Sequence, residues 1–375
     1  MNRCGLWIVL ALALMAAMPL PRATLAADYA VGADLSFLRQ AESRGFVFKE
    51  NNQPKPGLRI FRDHGYNWIR LRIFNDPAVL PNNLAYTLAM AKAAKEMGFK
   101  FLLDFHYSDT WADPTKQGIP KAWVEKSHME LARAVADYTR DTLLAFRDDD
   151  AMPDMVQIGN EITNGMLWPD GKLPENWDNF TDLLKAGIHG VEESVAQTRP
   201  STMAWGNTQT DKAPPMMPRI MIHTDCGGDA RANKSFFDKI LAANIHFDVI
   251  GQSFYPWWHG SLLDLRENLK FLSKAYGKDI IVVETAYNWR PAEYRNRPGP
   301  FPETPEGQRR FLEEVNRIVM ETPDGRGKGI FYWEPAVAAG RNGRGMFDND
   351  GNALPALGAL DAWTLGRVPR GSNAN

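Results

Sequence analysis

Three glutamates lie directly after short, largely apolar runs of the sequence: Glu161 follows VQIGN, Glu284 follows IIVV and Glu334 follows FYW. A carboxylate at the end of a buried run loses hydration free energy unless it is paired or used. Two carboxylates in one cleft can hydrolyse a glycosidic bond, because one protonates the departing oxygen while the other attacks the anomeric carbon. Any one of the three could be a solvated loop residue or a helix cap, but the set favours a glycosidase pair.

Two arginines lie within the apolar run WIRLRI. Arg70 and Arg72 alternate with Ile69, Leu71 and Ile73, so in a strand the arginines share one face and the aliphatic residues share the other. An arginine beside a carboxylate lowers the pKa of that carboxyl and keeps it ionised, as a nucleophile requires. One of the two arginines could instead belong to a buried structural ion pair.

Polar and aromatic side chains crowd the ends of the other apolar runs. Hydroxyl-rich ligands are held by polar acceptors and by flat apolar faces. A single tryptophan is more often packing and a single buried polar group is more often structural, so only the clustering of these residues indicates a sugar site. The candidate substrate-binding residues are Asp34, Arg70, Arg72, Asp104, His106, Asp109, Trp111, Asn160, His223, Tyr255, Trp289, Trp333 and Glu334.

Alternating strands and helices must position these residues. Eight nearly continuous apolar runs predict strands buried on both faces, at 30–34, 68–73, 99–105, 155–159, 220–223, 248–253, 280–283 and 329–333. Apolar residues at helical spacing predict helices between them, at 84–91, 131–138, 177–197, 262–276 and 311–318. Ser261 and Gly277 are predicted to begin and end one helix, and Thr304-Pro305 to begin another.

This alternation predicts an α/β protein: a single (β/α)₈ barrel with long βα loops over residues 27–366. A doubly wound open sheet would favour a glycine-rich phosphate turn after the first strand, and none follows it. Because the chemistry of such a barrel lies at the carboxyl ends of its strands, we expect the candidate residues to converge there.

The composition excludes several classes of partner. Lysine and arginine number 43 against 45 aspartates and glutamates, for a formal net charge of −2, which argues against nucleic acid or an anionic membrane as the main partner. Cysteine and histidine spacing typical of zinc is absent. The candidate sugar site, rather than the composition, predicts a polysaccharide partner; we expect no cofactor, no metal and a monomer.

Residues 1–26 are predicted to be a secretory signal peptide, with Arg3, an apolar run at 6–18 and a small-residue cleavage site at 23–27. The run is short for a membrane span of about 20 residues, although an uncleaved anchor is the alternative. Cleavage would leave Cys226 without a disulfide partner. We expect a secreted or periplasmic protein with no membrane contact after cleavage, and a polar, frayed tail at 367–375.

Long motifs carry a family resemblance. DFHYSDTWADPTKQ, VQIGNEITNGMLWP, FDVIGQSFYPWWHG, VVETAY and FYWEP together resemble the arabinogalactan endo-β-1,4-galactanases, glycoside hydrolase family 53. The similarity extends from about Gly32 to Leu360. It implies a retaining endo-hydrolase on a (β/α)₈ barrel that cleaves β-1,4-galactan in pectic side chains.

The resemblance also assigns roles that spacing alone leaves open. Glu161 corresponds to the acid/base and Glu284 to the nucleophile, which leaves Glu334 in the wall of the site. Some family members bind calcium after the seventh strand, but here that loop is poor in oxygen ligands and predicts none. The segment 348–352, DNDGN, is predicted to be a turn rather than a calcium loop.

Three positions depart from the family pattern. Asn288 stands where proline is common, and Val337 and Phe74 stand where tryptophan is common. These departures bear on subsites and substrate more than on the reaction. The alternatives are a retaining endo-hydrolase of mannan, xylan or β-glucan, a transglycosylase, and a non-catalytic carbohydrate-binding barrel. Product length and any role for Cys226 stay open, although a buried, inert thiol is expected.

Overall fold

The computed structural model describes residues 28–196, 216–291, 297–337 and 343–365. The predicted signal peptide at 1–26 and the predicted tail at 367–375 lie outside these residues.

Eight parallel strands close into a barrel in which each strand pairs with its neighbours in sequence and the last pairs with the first. They are β1 (Ala30–Asp34), β2 (Trp68–Ile73), β3 (Lys100–Phe105), β4 (Met155–Ile158), β5 (Arg219–Thr224), β6 (Val249–Phe254), β7 (Asp279–Thr285) and β8 (Gly327–Tyr332). Every predicted strand is present and ends within two residues of its predicted bounds. The predicted (β/α)₈ barrel is therefore confirmed.

Helices surround the barrel. They are α1 (Leu38–Ser43), α2 (Gly57–Asp63), α3 (Leu84–Glu96), α4 (His128–Asp148), α5 (Trp177–Ala196), α6 (Ala230–Ala242), α7 (Leu262–Tyr276), α8 (Pro305–Met320) and α9 (Asp361–Thr364). Short 3₁₀ turns lie at Lys121–Trp123, Ile162–Asn164, Pro323–Gly325 and Pro355–Gly358, and two small hairpins pair Lys49–Glu50 with Gln53–Pro54 and Gly165–Met166 with Gly171–Lys172.

The predicted ends of α7 and the predicted start of α8 are confirmed. The Ser261 hydroxyl accepts a hydrogen bond from the Asp264 N–H, and Gly277 adopts the left-handed conformation at φ 59°. The Thr304 hydroxyl accepts from the Gly307 N–H. Helices α1, α2, α6 and α9 were not predicted; for α6, Asp229 as N-cap was the available signal.

The inside of the barrel is filled with apolar side chains. They are Ala30, Trp68, Leu102, Met155, Met221, Val249, Ile281, Val283 and Phe331. Most of them lie in the first half of their strands, so the polar residues that follow form a separate layer toward the carboxyl ends. On the outer face of the barrel, Ile69, Leu71 and Ile73 of β2 pack in the larger core beneath the helices. This confirms the predicted alternation in β2.

His64 connects the C-terminal segment to the barrel. It directly follows α2, and its Nδ1 lies 2.9 Å from Asp361 Oδ1 at the start of α9. Its Nε2 lies 2.9 Å from Glu50 Oε1. Burial alone would lower the pKa of His64, but the hydrogen bonds and charges of Asp361 and Glu50 outweigh it, and the pKa is raised above its usual value.

Replacing His64 by glutamine is expected to destabilise the protein more at low pH than at high pH. Because the folded-state pKa is raised, the contribution of His64 is complete below the unfolded value of about 6.5 and disappears as the pH rises through the folded value. We expect a difference from the parent of about 1 kcal/mol at pH 6 that shrinks at pH 9. Urea unfolding at both pH values measures it. His246→Gln, at an exposed position between α6 and β6, is the control and should leave the unfolding free energy close to that of the parent.

Candidate active site

A cleft of about 250 Å³ opens where the carboxyl ends of the strands meet. Its lining residues are Arg70, Arg72, His106, Trp111, Ala112, Asp113, Asn160, Glu161, Glu284 and Trp333. Both glutamates that the family resemblance assigns to catalysis therefore line one cleft, as do several predicted binding residues. Glu334, the third candidate, directly follows the lining residue Trp333 and contacts the lining residue Arg72.

Irregular backbone aims the two glutamates into the cleft. Glu161 follows the turn of Gly159 and Asn160 that comes after β4. It adopts the left-handed backbone conformation, at φ 46° and ψ 53°. In β7, Val283 packs inside the barrel and the next residue, Glu284, also faces inward. The pairing register between β7 and β6 shifts at this position, as in a β-bulge. A bulge allows two successive residues of one strand to point to the same side of the sheet.

Glu284 is held at both carboxylate oxygens. Its Oε1 lies 2.8 Å from Arg70 Nη1, and its Oε2 accepts a hydrogen bond of 3.0 Å from the Tyr255 hydroxyl. Burial raises the pKa of Glu284, Arg70 opposes this, and Asp104 and Asp34 add to it, so that the pKa lies above its usual range. The expectation that an arginine would lower the pKa is thus corrected: Arg70 acts in that direction, but burial outweighs it.

Arg70 is the centre of a buried polar network. Its guanidinium contacts Asp34 Oδ2 at 3.1 Å and Asp104 Oδ2 at 2.8 Å, in addition to Glu284. It also donates a hydrogen bond of 2.9 Å to Asn160 Oδ1. One guanidinium therefore orients the predicted nucleophile and the residue that precedes the predicted acid/base.

A second arginine extends this layer. Arg72 contacts Asp34 Oδ1 at 2.7 Å and Glu334 Oε1 at 2.6 Å, so Asp34 joins the two arginines. The layer places Asp34, Asp104, Glu284 and Glu334 against two guanidinium groups. Such an excess of carboxylates favours a reaction in which positive charge develops on the substrate, as in the oxocarbenium-like transition state of glycoside hydrolysis.

Glu161 has a different environment. Its Oε1 accepts a hydrogen bond of 2.6 Å from the Ser253 hydroxyl. Burial, and then the charges of Glu284 and Asp225, raise the pKa of Glu161 well above its usual range, while Ser253 and Arg70 oppose the rise. Glu161 lacks the direct ion pair that Glu284 makes with Arg70. The environment therefore favours Glu161 as the member of the pair that keeps its proton.

Aromatic rings form one wall of the cleft. The ring centroids of Trp111 and Trp333 are 6.4 Å apart, and the Arg72 guanidinium carbon lies 4.4 Å from the Trp111 centroid. His106 is locked beside them, because its Nε2 lies 3.1 Å from Asp104 Oδ2 and its Nδ1 accepts from the Ala112 N–H at 3.0 Å. These flat faces and fixed polar atoms are what a sugar ring requires.

Several predicted binding residues lie behind the lining rather than in it. Asp34, Asp104, His223, Tyr255 and Glu334 contact lining residues and hold them in place.

Two predicted residues lie elsewhere. Asp109 accepts from the backbone N–H groups of Asp76 and Lys121 and so joins two loops. Trp289 bonds through its backbone N–H to the Gly343 carbonyl. Neither is among the lining residues, and their contact with substrate stays a prediction.

Three further residues around the predicted site residues were not predicted: Ser253, Gln157 and Asp225. Ser253 and Gln157 are polar residues inside otherwise apolar runs, and that was the available signal. The Gln157 side chain accepts from Arg70 and donates to Asp104 Oδ1 at 2.6 Å. Asp225 directly follows β5.

The structure also bears on the predictions about metal sites, membrane spans, the turn at 348–352 and Cys226. Within the described ranges no group of three or more His, Cys, Asp or Glu side chains is arranged so that it could hold a metal ion, and no helix there is long and apolar enough to span a membrane. The predicted turn at 348–352 is confirmed, because Asp348 Oδ1 accepts from the N–H groups of Asp350 and Asn352. Cys226 is half-buried rather than buried as expected; this partial burial raises the pKa of its thiol to about 12, which disfavours the reactive thiolate.

Comparisons with known proteins also indicate a glycoside hydrolase. A sequence model of glycosyl hydrolase family 53 matches residues 30–360. An uncharacterised protein of Niallia circulans is 41% identical over 364 residues, covering 89% of this chain and 94% of that protein. A probable arabinogalactan endo-β-1,4-galactanase of Aspergillus terreus is 39% identical over 332 residues, covering 84% and 88%. The GH53 catalytic domain of Ignisphaera aggregans superimposes with a TM-score of 0.79 at 33% identity, covering 90% and 96%.

Proposed function

The chain belongs to glycosyl hydrolase family 53, and from that premise we propose that it cleaves internal linkages of β-1,4-galactan with retention of anomeric configuration. The observation that carries the proposal is the convergence of Glu161 and Glu284 on one cleft in unequal environments. Glu284 is paired with Arg70, whereas Glu161 is held by a neutral hydroxyl. That difference suits a nucleophile and a proton donor.

The proposed reaction has two displacements. Glu284 attacks the anomeric carbon, and Glu161 transfers its proton to the glycosidic oxygen, so the bond to the departing sugar breaks as the ester to Glu284 forms. The ionised Glu161 then removes a proton from water, whose oxygen attacks the same carbon and releases Glu284. Burial raises the pKa of Glu161 well above its usual range, which keeps the proton available for the first step.

Galactan is proposed as the substrate because the Aspergillus terreus relative is named for it and because the long motifs around the cleft resemble galactanases. Reducing-sugar release from linear β-1,4-galactan, mannan, xylan and β-glucan tests this choice. We expect hydrolysis of galactan at a rate far above the others, with oligosaccharides rather than galactose as first products. Comparable hydrolysis of mannan or xylan would contradict the assignment, and binding without cleavage would favour a non-catalytic barrel.

The three departures from the family pattern are proposed to affect subsites. The Phe74 ring packs edge-on against the rings of His106 and Trp111, with centroid distances of 4.9 Å and 5.8 Å. Phe74 therefore supports the aromatic wall. Asn288 donates a hydrogen bond of 2.8 Å to Glu303 in the loop after β7. Val337 follows β8 beyond Glu334. Their influence would appear in the lengths of the galactan fragments that accumulate.

We also propose that residues 27–366 act as one catalytic domain of an exported monomer. Arg3 and the apolar run at 6–18 support the export, because they are typical of a cleaved signal peptide. The match of one family model to residues 30–360 supports the single domain. N-terminal sequencing of the protein recovered from the periplasm or medium tests the cleavage. Light scattering during size exclusion tests the monomer.

A further inference from the structure

Ser253 lies at the junction of the two candidate catalytic glutamates. It is fully buried near the end of β6, where the β-bulge pairs it with Glu284 across the strands. Its Oγ lies 2.6 Å from Glu161 Oε1 and 2.9 Å from His223 Nε2. We propose that Ser253 is a positioning residue. Its hydroxyl donates a hydrogen bond to Glu161 Oε1, and the proton that Glu161 transfers to the glycosidic oxygen is therefore carried by Oε2. This inference rests on the proposed acid/base role of Glu161.

The partners of His223 determine the direction of the hydrogen bonds. His223 Nδ1 faces two donors, Gln157 Nε2 at 3.1 Å and the Glu161 backbone N–H at 3.4 Å. It therefore acts as the acceptor, and a neutral imidazole then has its hydrogen on Nε2. Burial, and then the charge of Arg70, lower the pKa of His223 well below its usual value, which keeps the ring neutral.

The opposite tautomer fits less well. A hydrogen on His223 Nδ1 could reach Asn160 Oδ1 at 3.1 Å, but that oxygen already accepts from Arg70. The same hydrogen would confront the N–H groups of Gln157 and Glu161. With the hydrogen on Nε2, His223 donates to Ser253, and the serine hydroxyl hydrogen can only be directed to Glu161 Oε1.

The charges around Glu161 make the Ser253 hydrogen bond consequential. Negative neighbours are Glu284 on β7 and Asp225 after β5, and the positive neighbour is Arg70 on β2. The neutral neighbouring groups are His223, Tyr255, His259 and the Cys226 thiol. A hydroxyl that donates to a carboxylate stabilises its ionised form. Removing the hydroxyl should therefore make Glu161 harder to ionise, and removing the charge of Asp225 should make it easier.

The pH dependence of kcat/KM on linear galactan tests the proposal in the full chain. The basic limb reports loss of the proton from the acid catalyst. Ser253→Ala should move that limb upward by about one pH unit, since a hydrogen bond to a charged group is worth roughly that shift. Ser253→Thr keeps a hydroxyl and should restore the parent profile, and Asp225→Asn should move the limb downward.

A structural defect would give a different result, because it would lower kcat/KM at every pH without moving the limb. An unmoved basic limb in Ser253→Ala therefore overturns the proposal. If the alanine variant does not fold, Ser253→Cys replaces it, because a thiol of similar shape is a weak donor; the same upward shift is expected, and its absence overturns the proposal. Failure of the underlying function is distinguishable: the parent would not cleave galactan, or Glu161→Gln would keep the parent's basic limb.

Discussion

Replacing Glu284 by alanine should lower kcat/KM on linear β-1,4-galactan by about 10⁴-fold or more, because the covalent route loses its nucleophile. The fold should persist, since Arg70 keeps its contacts with Asp34 and Asp104. Reducing-sugar release measures the rate, and the thermal midpoint checks the fold. Glu267→Ala, an exposed glutamate on α7, is the control and should retain parental activity.

Azide separates the roles of the two glutamates. The alanine at position 284 leaves space on the face of the sugar opposite the leaving group, so azide should attack there and give an α-galactosyl azide from an aryl β-galactoside. In Glu161→Ala, azide should instead attack the galactosyl ester of Glu284 and give a β-galactosyl azide. Proton NMR of the products distinguishes the two anomers. Near-parental turnover in Glu284→Ala, or an inverted first product from the parent, would contradict the assignment.

Replacing Arg70 by methionine is expected to cost about 3–5 kcal/mol of unfolding free energy, the usual penalty for removing one partner from a buried ion network. Asp34, Asp104 and Glu284 would keep their negative charges without the guanidinium that lies within 3.1 Å of each. Activity should fall as well, because Glu284 would lose the group that orients it. Urea unfolding at pH 7 measures the stability.

Two further measurements on Arg70 test the electrostatic cause. The penalty should shrink at pH 4, because protonation of Glu284, whose pKa burial already raises, removes one of the stranded charges. Arg70→Lys should recover only part of the loss, since an ammonium cannot reproduce the forked contacts. Arg59→Ala, which removes a 59% exposed arginine paired with Asp63, should change stability by no more than about 1 kcal/mol. A loss at position 70 as small as at position 59 would contradict the network's importance.

Much of the architecture was predictable because strands and helices differ in their hydrophobic period. The eight buried runs, the caps of α7 and the inward face of Arg70 and Arg72 all follow from local patterns. Each of these patterns is a property of neighbouring residues. The closed barrel follows from their alternation, and it brings Glu161 and Glu284 to the same end of the sheet.

The orientation and ionisation of the glutamates depended on the folded structure. Strict alternation in β7 would place Val283 and Glu284 on opposite faces, and only the bulge against β6 turns both inward. The pKa of Glu284 is raised rather than lowered as the neighbouring arginine predicted, because burial outweighs the charge of Arg70. Residue order specifies which side chains follow each strand, but strand register and desolvation arise only when distant segments pack together. For that reason, the place of Ser253 beside Glu161 could be established only from the assembled barrel.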